Sequence, residues 1–301
     1  MREIGLEFLK QVPEAFTLLF YAYALLIVTW PIFLWLEWLT PVNERTPRSN
    51  YWFNWKIVLT NVALTPLFYA LAVTLSVTLA RALGLPLLPY PTAEWANGFP
   101  VLAVVVQGSA LFVASCFLGD LWYYWWHRMQ HELPWLWELH KLHHSDESLN
   151  ATTIYRSHFF ELAGQALVRG MTVGLLVDLA AGHQALIAIV AAGLLPPVWD
   201  IFIHSNVRMD RLHRLVPFLS TPQFHWIHHS KLPEHQDKNY AIWLPVFDVV
   251  FGSYYRPRVS EYPPTGLSSG EQIDTLWEAQ AGPFLAWTRR LRGVPDQAVA
   301  D

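Results

Sequence analysis

Residues 120–144 read DLWYYWWHRMQHELPWLWELHKLHH and hold five of the chain's 13 histidines: His127, His131, His140, His143 and His144. The first two lie four residues apart, so on a helix they sit one turn above each other on the same face. The other three follow the i, i+3, i+4 pattern, which again defines one face of one helix. The stretch therefore predicts two helices that present imidazoles.

The second of these patterns recurs far downstream in FHWIHH, as His225, His228 and His229. Imidazole is a ligand that suits iron, zinc and copper, and a helix fixes the distance between two such ligands. The competing interpretation is a set of solvated histidines on a wet helix face. That interpretation would make the repeated HxxHH spacing a coincidence, so the pattern predicts a polyhistidine metal site.

The composition is that of a membrane protein. Hydrophobic residues make up 53% of the chain and charged residues only 15%, and the mean hydropathy is +0.23. A soluble domain usually contains about 25% charged residues. The net charge of −4 gives no argument for a nucleic-acid partner. The single cysteine, Cys116, excludes an internal disulfide framework and a cysteine-based metal site.

Three long runs without a charged residue precede or enter the histidine stretch, at 15–36, 57–80 and 95–119. Runs of this length can cross about 30 Å of hydrocarbon. We read the first as an uncleaved transmembrane helix and residues 37–56 as a polar connection to the second. The third run leads directly into the first histidines, so we expect one helix to carry both.

A further apolar region, 162–199, lies between the two groups of histidines and is interrupted at Gly182 and His183. Each half is roughly 17 residues, or about 25 Å as a helix, so a tilted pair of spans and a re-entrant hairpin both remain open. The chain thus divides into N-terminal membrane helices (1–119), a histidine-containing region with the embedded apolar hairpin (120–258) and a soluble tail (259–301). Within the tail, residues 271–292 are expected to be helical.

The distribution of lysine and arginine predicts the orientation. If the three apolar runs cross in turn, residues 37–56 share a side with the histidines. That side carries nearly all the basic residues, and the opposite side has Arg2, Lys10 and Arg81. The positive-inside rule then places the metal site in the cytoplasm.

Several other metal chemistries do not fit. No HExxH motif occurs, which excludes the usual zinc protease, and no ExxH pairs occur, which excludes a carboxylate-bridged di-iron bundle. A histidine-lined metal transporter or storage protein stays open, although its ligands should lie inside the apolar runs, where only His183 is found. Eight or more histidines are too many for one ion and suit two.

The boxes HRMQH, HKLHH and HWIHH resemble those of the fatty acid hydroxylase / sterol desaturase superfamily of integral-membrane di-iron oxygenases. The surrounding segments, including FIHSN and NYAIWLPVFDVVFGSYYRP, are similar to bacterial members, and the resemblance covers about residues 110–256. It implies an all-α membrane protein with three to four transmembrane helices and a cytosolic helical cap that carries the di-iron site. It also implies two iron ions, O2, and hydroxylation or desaturation of a lipid such as a sterol or fatty acyl chain.

Box by box, the resemblance implies nine metal ligands: His127, His131, His140, His143, His144, His204, His225, His228 and His229. Five more residues are implied as possible ligands or as partners that hold the ligands: His158, Asp120, Asp200, Asn239 and Tyr240. Asp200 stands where some relatives have a further histidine, and Asp120 lies two helical turns before the first box. A simple helix-end or loop role for Asp120 and Asn239 stays open.

No motif for NAD or flavin occurs in the sequence, so electrons are expected from a separate ferredoxin- or cytochrome-type donor with its reductase. Basic residues on the cytoplasmic side could dock an acidic donor or hold anionic headgroups: Arg208, Arg211, Arg214, Arg256 and Arg258.

Overall fold

The computed structural model describes residue 24 and residues 27–43, 45–84, 100–176 and 195–293. Over these residues the secondary structure is helical, and the β pairing is limited to one isolated bridge between Ser230 and Thr265. The predicted all-helical fold is confirmed for this part of the chain. Its helices are α1 Ile27–Leu39, α2 Arg48–Ala82, α3 Pro100–Glu132, α4 Pro134–His144, α5 Phe159–Leu176, α6 Leu195–His204, α7 Pro222–His228, α8 Val246–Phe251 and α9 Leu276–Leu291.

Helix α3 joins the apolar part of the chain to the first histidines. It runs for 33 residues without a break, so the prediction that one helix carries both the third apolar run and the HRMQH box is confirmed. Its segment Val105–Glu132 is the one helix among the described residues that is long and apolar enough to cross a membrane. Large apolar side chains line its outer surface, and Val113 is 63% exposed.

The other predicted spans are described only in part. Most of 15–36 lies outside the described residues, and α1 contains the remainder. The run 57–80 lies within α2. In the apolar region 162–199, α5 and α6 are described, whereas the interruption at Gly182 and His183 lies outside the described residues.

Helix α2 begins earlier than the sequence predicted. It starts at Arg48, immediately after Pro47, so the prediction of a polar connection as far as residue 56 is wrong. Two asparagines of its first turns face the protein, whereas Arg48, Ser49 and Lys56 are exposed. Asn50 donates to Asp146 at 2.7 Å and Asn54 donates to Thr152 at 2.9 Å. Because these two amides bond to the protein, a segment with the polar composition of a loop can form a helix here.

Helix α5 packs in the groove between α2 and α3. The contact with α3 depends on Gly164, because a Cβ at that position would overlap the indole ring of Trp126. The absence of a side chain lets the two helices approach closely. This contact places the start of α5 beside the histidines of α3 and α4.

Helix α1 is tied to the FIHSN segment, which contains His204. The buried carboxylate of Glu37 accepts hydrogen bonds from the backbone N–H of Ala151 at 2.6 Å and of Asn206 at 2.9 Å. The hydroxyl of Tyr51 donates to the same carboxylate at 3.1 Å. This one side chain therefore connects α1, α2 and the residues next to His204.

The predicted C-terminal helix exists but begins at Leu276 rather than at residue 271. Thr275 and Glu278 form a capping box, in which each side chain accepts from the other residue's backbone N–H. The helix packs on α4, with Ala279, Pro283 and Ala286 buried.

Candidate metal centre

Nine buried or nearly buried histidines converge inside the helices in two groups. The five-histidine group contains His127, His131, His140, His144 and His228. The four-histidine group contains His143, His204, His225 and His229. Within each group, one nitrogen from every ring lies within 4.8 Å of all the others. These are the nine residues that the sequence proposed as ligands.

Each HxxHH box contributes to both groups. On α4, His140 and His144 are four residues apart and share a face that points into the five-histidine group, and His143 points into the other. On α7 the i, i+4 pair His225 and His229 enters the four-histidine group, and His228 crosses to the five-histidine group. The two boxes therefore interlock, with each middle histidine joining the other box's pair.

The spacing of the ring nitrogens fits a shared ion better than hydrogen bonds between imidazoles. In the four-histidine group, the Nε2 of His204 lies 2.9 Å from that of His143, 2.9 Å from that of His225 and 3.2 Å from that of His229. Two imidazoles bound about 2.1 Å from one ion at right angles have nitrogens about 3.0 Å apart. A single Nε2 cannot form three separate hydrogen bonds in this way, since it has either one proton or one lone pair.

The tautomers in the five-histidine group lead to the same conclusion. The Nδ1 of His127 donates to the carbonyl of Tyr240 at 2.8 Å, and the Nδ1 of His140 donates to the carboxylate of Glu161 at 2.8 Å. In the neutral rings both Nε2 atoms then carry lone pairs, and these atoms face each other at 3.1 Å. Two lone pairs at this distance repel unless a cation lies between them. The residues present therefore fit metal ions.

Seven of these histidines have a lowered pKa, which favours the uncharged ring that binds metal: His127, His131, His143, His144, His225, His228 and His229. Burial, and after it the neighbouring imidazoles, lowers the pKa of His143, His225 and His229 well below the usual value for histidine. Burial lowers the pKa of His228 to about 3, although its hydrogen bond to the carbonyl of Lys238 acts in the opposite direction. At neutral pH these rings are uncharged and their lone pairs are free to coordinate.

Two of the additional residues singled out in the sequence contact the histidines. The backbone carbonyl of Asp200 accepts from the Nδ1 of His204 at 2.6 Å, and its carboxylate lies 3.4 Å from the same nitrogen. Tyr240 contributes its carbonyl to His127, as described above, and its ring packs against His131 with the centroids 5.1 Å apart.

Asp120 and Asn239 act on the loop that holds Tyr240. The carboxylate of Asp120 accepts from the backbone N–H of Trp243 at 3.1 Å and of Leu244 at 2.7 Å rather than from an imidazole. Asn239, at a φ of 60°, donates its side-chain amide to the carbonyls of Phe224 and Tyr255, both at 3.1 Å. Both residues therefore stabilise the loop that carries the acceptor for His127.

His158 lies outside both groups. Its Nε2 donates to the carbonyl of Gln280 at 3.1 Å, and its Nδ1 accepts from the backbone N–H of Phe160 at 3.2 Å. Because both ring nitrogens are occupied by backbone groups, a ligand role for His158 is not supported. The side chain links the start of α5 to α9.

Three contacts to the histidines were not predicted. The carboxylate of Glu161 holds His140, the carbonyl of Lys238 accepts from the Nδ1 of His228 at 2.9 Å, and the carboxylate of Asp237 lies 3.7 Å from the Nδ1 of His131. Backbone acceptors leave no trace in sequence composition. Glu161 had one usable signal, because it is the one acidic residue of a mostly apolar helix.

A helical protein whose core holds two groups of converging imidazoles has the residues of a polyhistidine metal site. Comparison with known sequences narrows this interpretation. Residues 112–253 match the family described as fatty acid hydroxylase. The resemblance to this family seen in the histidine boxes is therefore confirmed for this segment.

Several curated proteins are similar to the same part of the chain. Alkylglycerol monooxygenase from Homo sapiens is 33% identical over 142 residues, which cover 46% of this chain and 30% of that protein. The Danio rerio protein of the same name is 35% identical over 140 residues, covering 46% and 29%. Ornithine lipid hydroxylase from Rhizobium tropici is 28% identical over 172 residues, covering 57% and 48%.

The matching segments span less than half the length of each of these relatives. No solved structure gives a significant match to the chain.

Proposed function

We propose that this protein is a membrane-bound di-iron oxygenase that hydroxylates or desaturates a lipid, using O2 and electrons from a separate donor. The observation that carries the proposal is the pair of interlocked histidine groups, which together contain nine imidazoles and no thiolate. Imidazole sites of this kind accept iron, zinc or copper, and only a redox-active metal is useful to the monooxygenase and hydroxylase relatives named above.

Two iron ions held by the nine histidines would supply the reductive activation of O2 that attack on an unactivated C–H bond needs. The protein's own part is to orient the ligands and to keep water out. Eight of the nine rings are buried, and only His131 reaches intermediate exposure. The rings of Trp137 and Tyr240 lie against His131, with centroids 5.3 and 5.1 Å away, and cover this last side. Exclusion of water protects the protein and the substrate from side reactions.

The substrate class we propose is an amphiphilic lipid with a long alkyl chain. The names of the relatives specify an alkylglycerol and an ornithine lipid, which share a polar headgroup and hydrocarbon. The exposed apolar side chains of α3 offer such a lipid a hydrophobic surface on the helix that carries His127.

For the membrane arrangement, we propose three to four transmembrane helices with the metal centre facing the cytoplasm. The support is the candidate span in α3, the apolar runs before it and the Lys/Arg asymmetry of the connections. A reporter fused after Asp301 should be cytoplasmic, and one inserted near Trp95 should lie on the opposite side. A reporter after Asp301 on the periplasmic or lumenal side would overturn this arrangement.

The proposed electron donor is a separate ferredoxin or cytochrome with an acidic surface. All five arginines expected at its docking surface are exposed: Arg208, Arg211, Arg214, Arg256 and Arg258. Long-range attraction of this kind raises the rate of association and weakens with added salt.

The test is turnover by the purified protein loaded with iron in detergent or lipid. With a reductase, a ferredoxin, NADPH and isotopically heavy O2, a lipid extract should yield a product that gains one labelled oxygen or loses two hydrogens. NADPH and O2 alone should give no product. If the bound metal exchanges freely and the reduced protein takes up no O2, the alternative is favoured, which is a metal transporter or storage protein.

A further inference from the structure

The two histidine groups differ in how their rings are held. In the five-histidine group, the Nδ1 atoms of His127, His140 and His228 all donate to acceptors at 2.8–2.9 Å. In the four-histidine group only His204 has such a partner. The buried Nδ1 atoms of His143, His225 and His229 have no hydrogen-bond partner among the described residues. The two sites are therefore chemically unequal.

Glu161 is the acceptor that sets the five-histidine group apart. It lies in the first turn of α5, and its side chain is 1% exposed. One carboxylate oxygen accepts from the Nδ1 of His140, and the other has no hydrogen-bond partner among the described residues. Its contact with His140 is the shortest between a carboxylate and an imidazole of either group, since Asp200 and Asp237 approach theirs at 3.4 and 3.7 Å.

A buried carboxylate is costly unless positive charge lies close to it. The N-terminus of α5 supplies part of this charge through the helix dipole. A neutral imidazole as the only direct partner of Glu161 would leave the rest of the required positive charge unsupplied. A metal dication on the far side of His140, at its Nε2, would supply it. The imidazole would then connect the carboxylate to the metal. In such an arrangement the carboxylate fixes the orientation of the ring and makes its Nε2 a stronger ligand for the metal.

Resting on the proposed function, we propose that Glu161 is a positioning residue that makes the five-histidine group the tighter metal site of the two. A hydrogen bond from Nδ1 to a carboxylate raises the basicity of Nε2, which strengthens its bond to the ion. Among the described residues, the four-histidine group has no carboxylate at this distance from a ring, and the Nδ1 atoms of three of its rings have no partner. Its ion is the one that leaves first.

The experiment titrates the metal-free full-length protein in detergent with Co2+, whose visible absorption reports the geometry around each ion. The variants are Glu161→Gln, which keeps an acceptor oxygen without the charge, and Glu161→Ala, which removes the acceptor. The matched control is Glu138→Gln. Glu138 is also a buried glutamate on the neighbouring helix, but it pairs with Lys141 at 3.0 Å and Arg290 at 3.1 Å.

The wild type should bind two Co2+ ions in two steps. In Glu161→Gln the tighter step should weaken about 10- to 100-fold and its absorption spectrum should change, while the weaker step stays as in the wild type. In Glu161→Ala the tighter step should weaken further, and Glu138→Gln should match the wild type. An unchanged weaker step also shows that the variant is folded.

Two results would overturn the proposal while leaving the oxygenase proposal intact. One is a Glu161→Gln titration and spectrum identical to the wild type. The other is an equal loss of both steps in Glu161→Gln, which would mean a general structural role. A wild-type protein that binds fewer than two Co2+ ions would instead contradict the proposed di-iron function itself.

Discussion

Replacement of Asp120 by alanine tests whether the loop after Tyr240 supports the five-histidine group. The carboxylate accepts two backbone hydrogen bonds, from Trp243 at 3.1 Å and Leu244 at 2.7 Å, and the residue is buried. A buried N–H left without its acceptor costs about 1–3 kcal/mol, or roughly 2–6 kcal/mol for the two. Release of the carboxylate's own desolvation cost offsets part of this, so we expect a net loss of about 2–3 kcal/mol.

The loss should appear first as weaker metal binding. Without Asp120 the loop is free to move, and the carbonyl of Tyr240 no longer holds the Nδ1 of His127. We expect the melting temperature of the metal-loaded protein in detergent to fall by about 5–10 °C, because 1 kcal/mol corresponds to about 2–4 °C in a domain of 150–250 residues. One ion per chain should be released more easily than in the wild type.

The matched control is Glu132→Ala on the same helix. Glu132 pairs with Arg128 at 2.7 Å, but its side chain is 52% exposed, so its loss should cost less than about 1 kcal/mol. Asp120→Asn keeps one acceptor oxygen and should lie between the control and Asp120→Ala. The reasoning is refuted if Asp120→Ala melts and retains metal as the control does.

Three further outcomes are expected. His158→Asn should keep full metal content, because both ring nitrogens of His158 bind backbone groups; loss of an ion on elemental analysis would mean that the residue is a ligand. Acid should destabilise the metal-free protein: the pKa of His228 is about 3 when folded and about 6.5 when unfolded. The unfolded chain then binds more protons between these values, and stability falls as pH drops from 6.5 toward 3 by about 1.4 kcal/mol per pH unit for this histidine. Denaturant titrations that show constant stability over that range would contradict this. Gly164→Val should separate α5 from α3 at Trp126 and cost about 1–3 kcal/mol, so a variant with an unchanged melting temperature would mean that the helices do not touch there.

The sequence predicted the parts of the centre that depend on helical periodicity. Histidines four residues apart share a face of an α-helix, so the pairing of His140 with His144 and of His225 with His229 followed from spacing alone. The continuity of α3 was visible as one uninterrupted pattern from the apolar run to His131. The assignment of His143 and His228 to opposite groups was not predictable, because it depends on how α4 and α7 pack.

The groups that hold the ligand histidines were harder to predict from the sequence than the histidines themselves. The backbone carbonyls of Tyr240 and Lys238 hold His127 and His228. Every residue has a backbone carbonyl, so the sequence does not mark which of them accept these hydrogen bonds. Two boundaries, by contrast, were missed despite a signal. Pro47 marks the start of α2, and the TLWE sequence beginning at Thr275 is a capping box at the start of α9.

The most direct test of the two-ion centre is the amount of iron per chain in the purified protein and in His143→Ala and His228→Ala. The two residues belong to different groups, so each variant removes one ligand from one site. His213→Ala serves as the control, because His213 lies outside both groups and bonds to Gln223 at 3.1 Å. We expect two irons per chain in the wild type and the control, and less iron with no lipid product in both histidine variants. If both variants keep two irons and normal product, the two histidine groups do not form the metal centre.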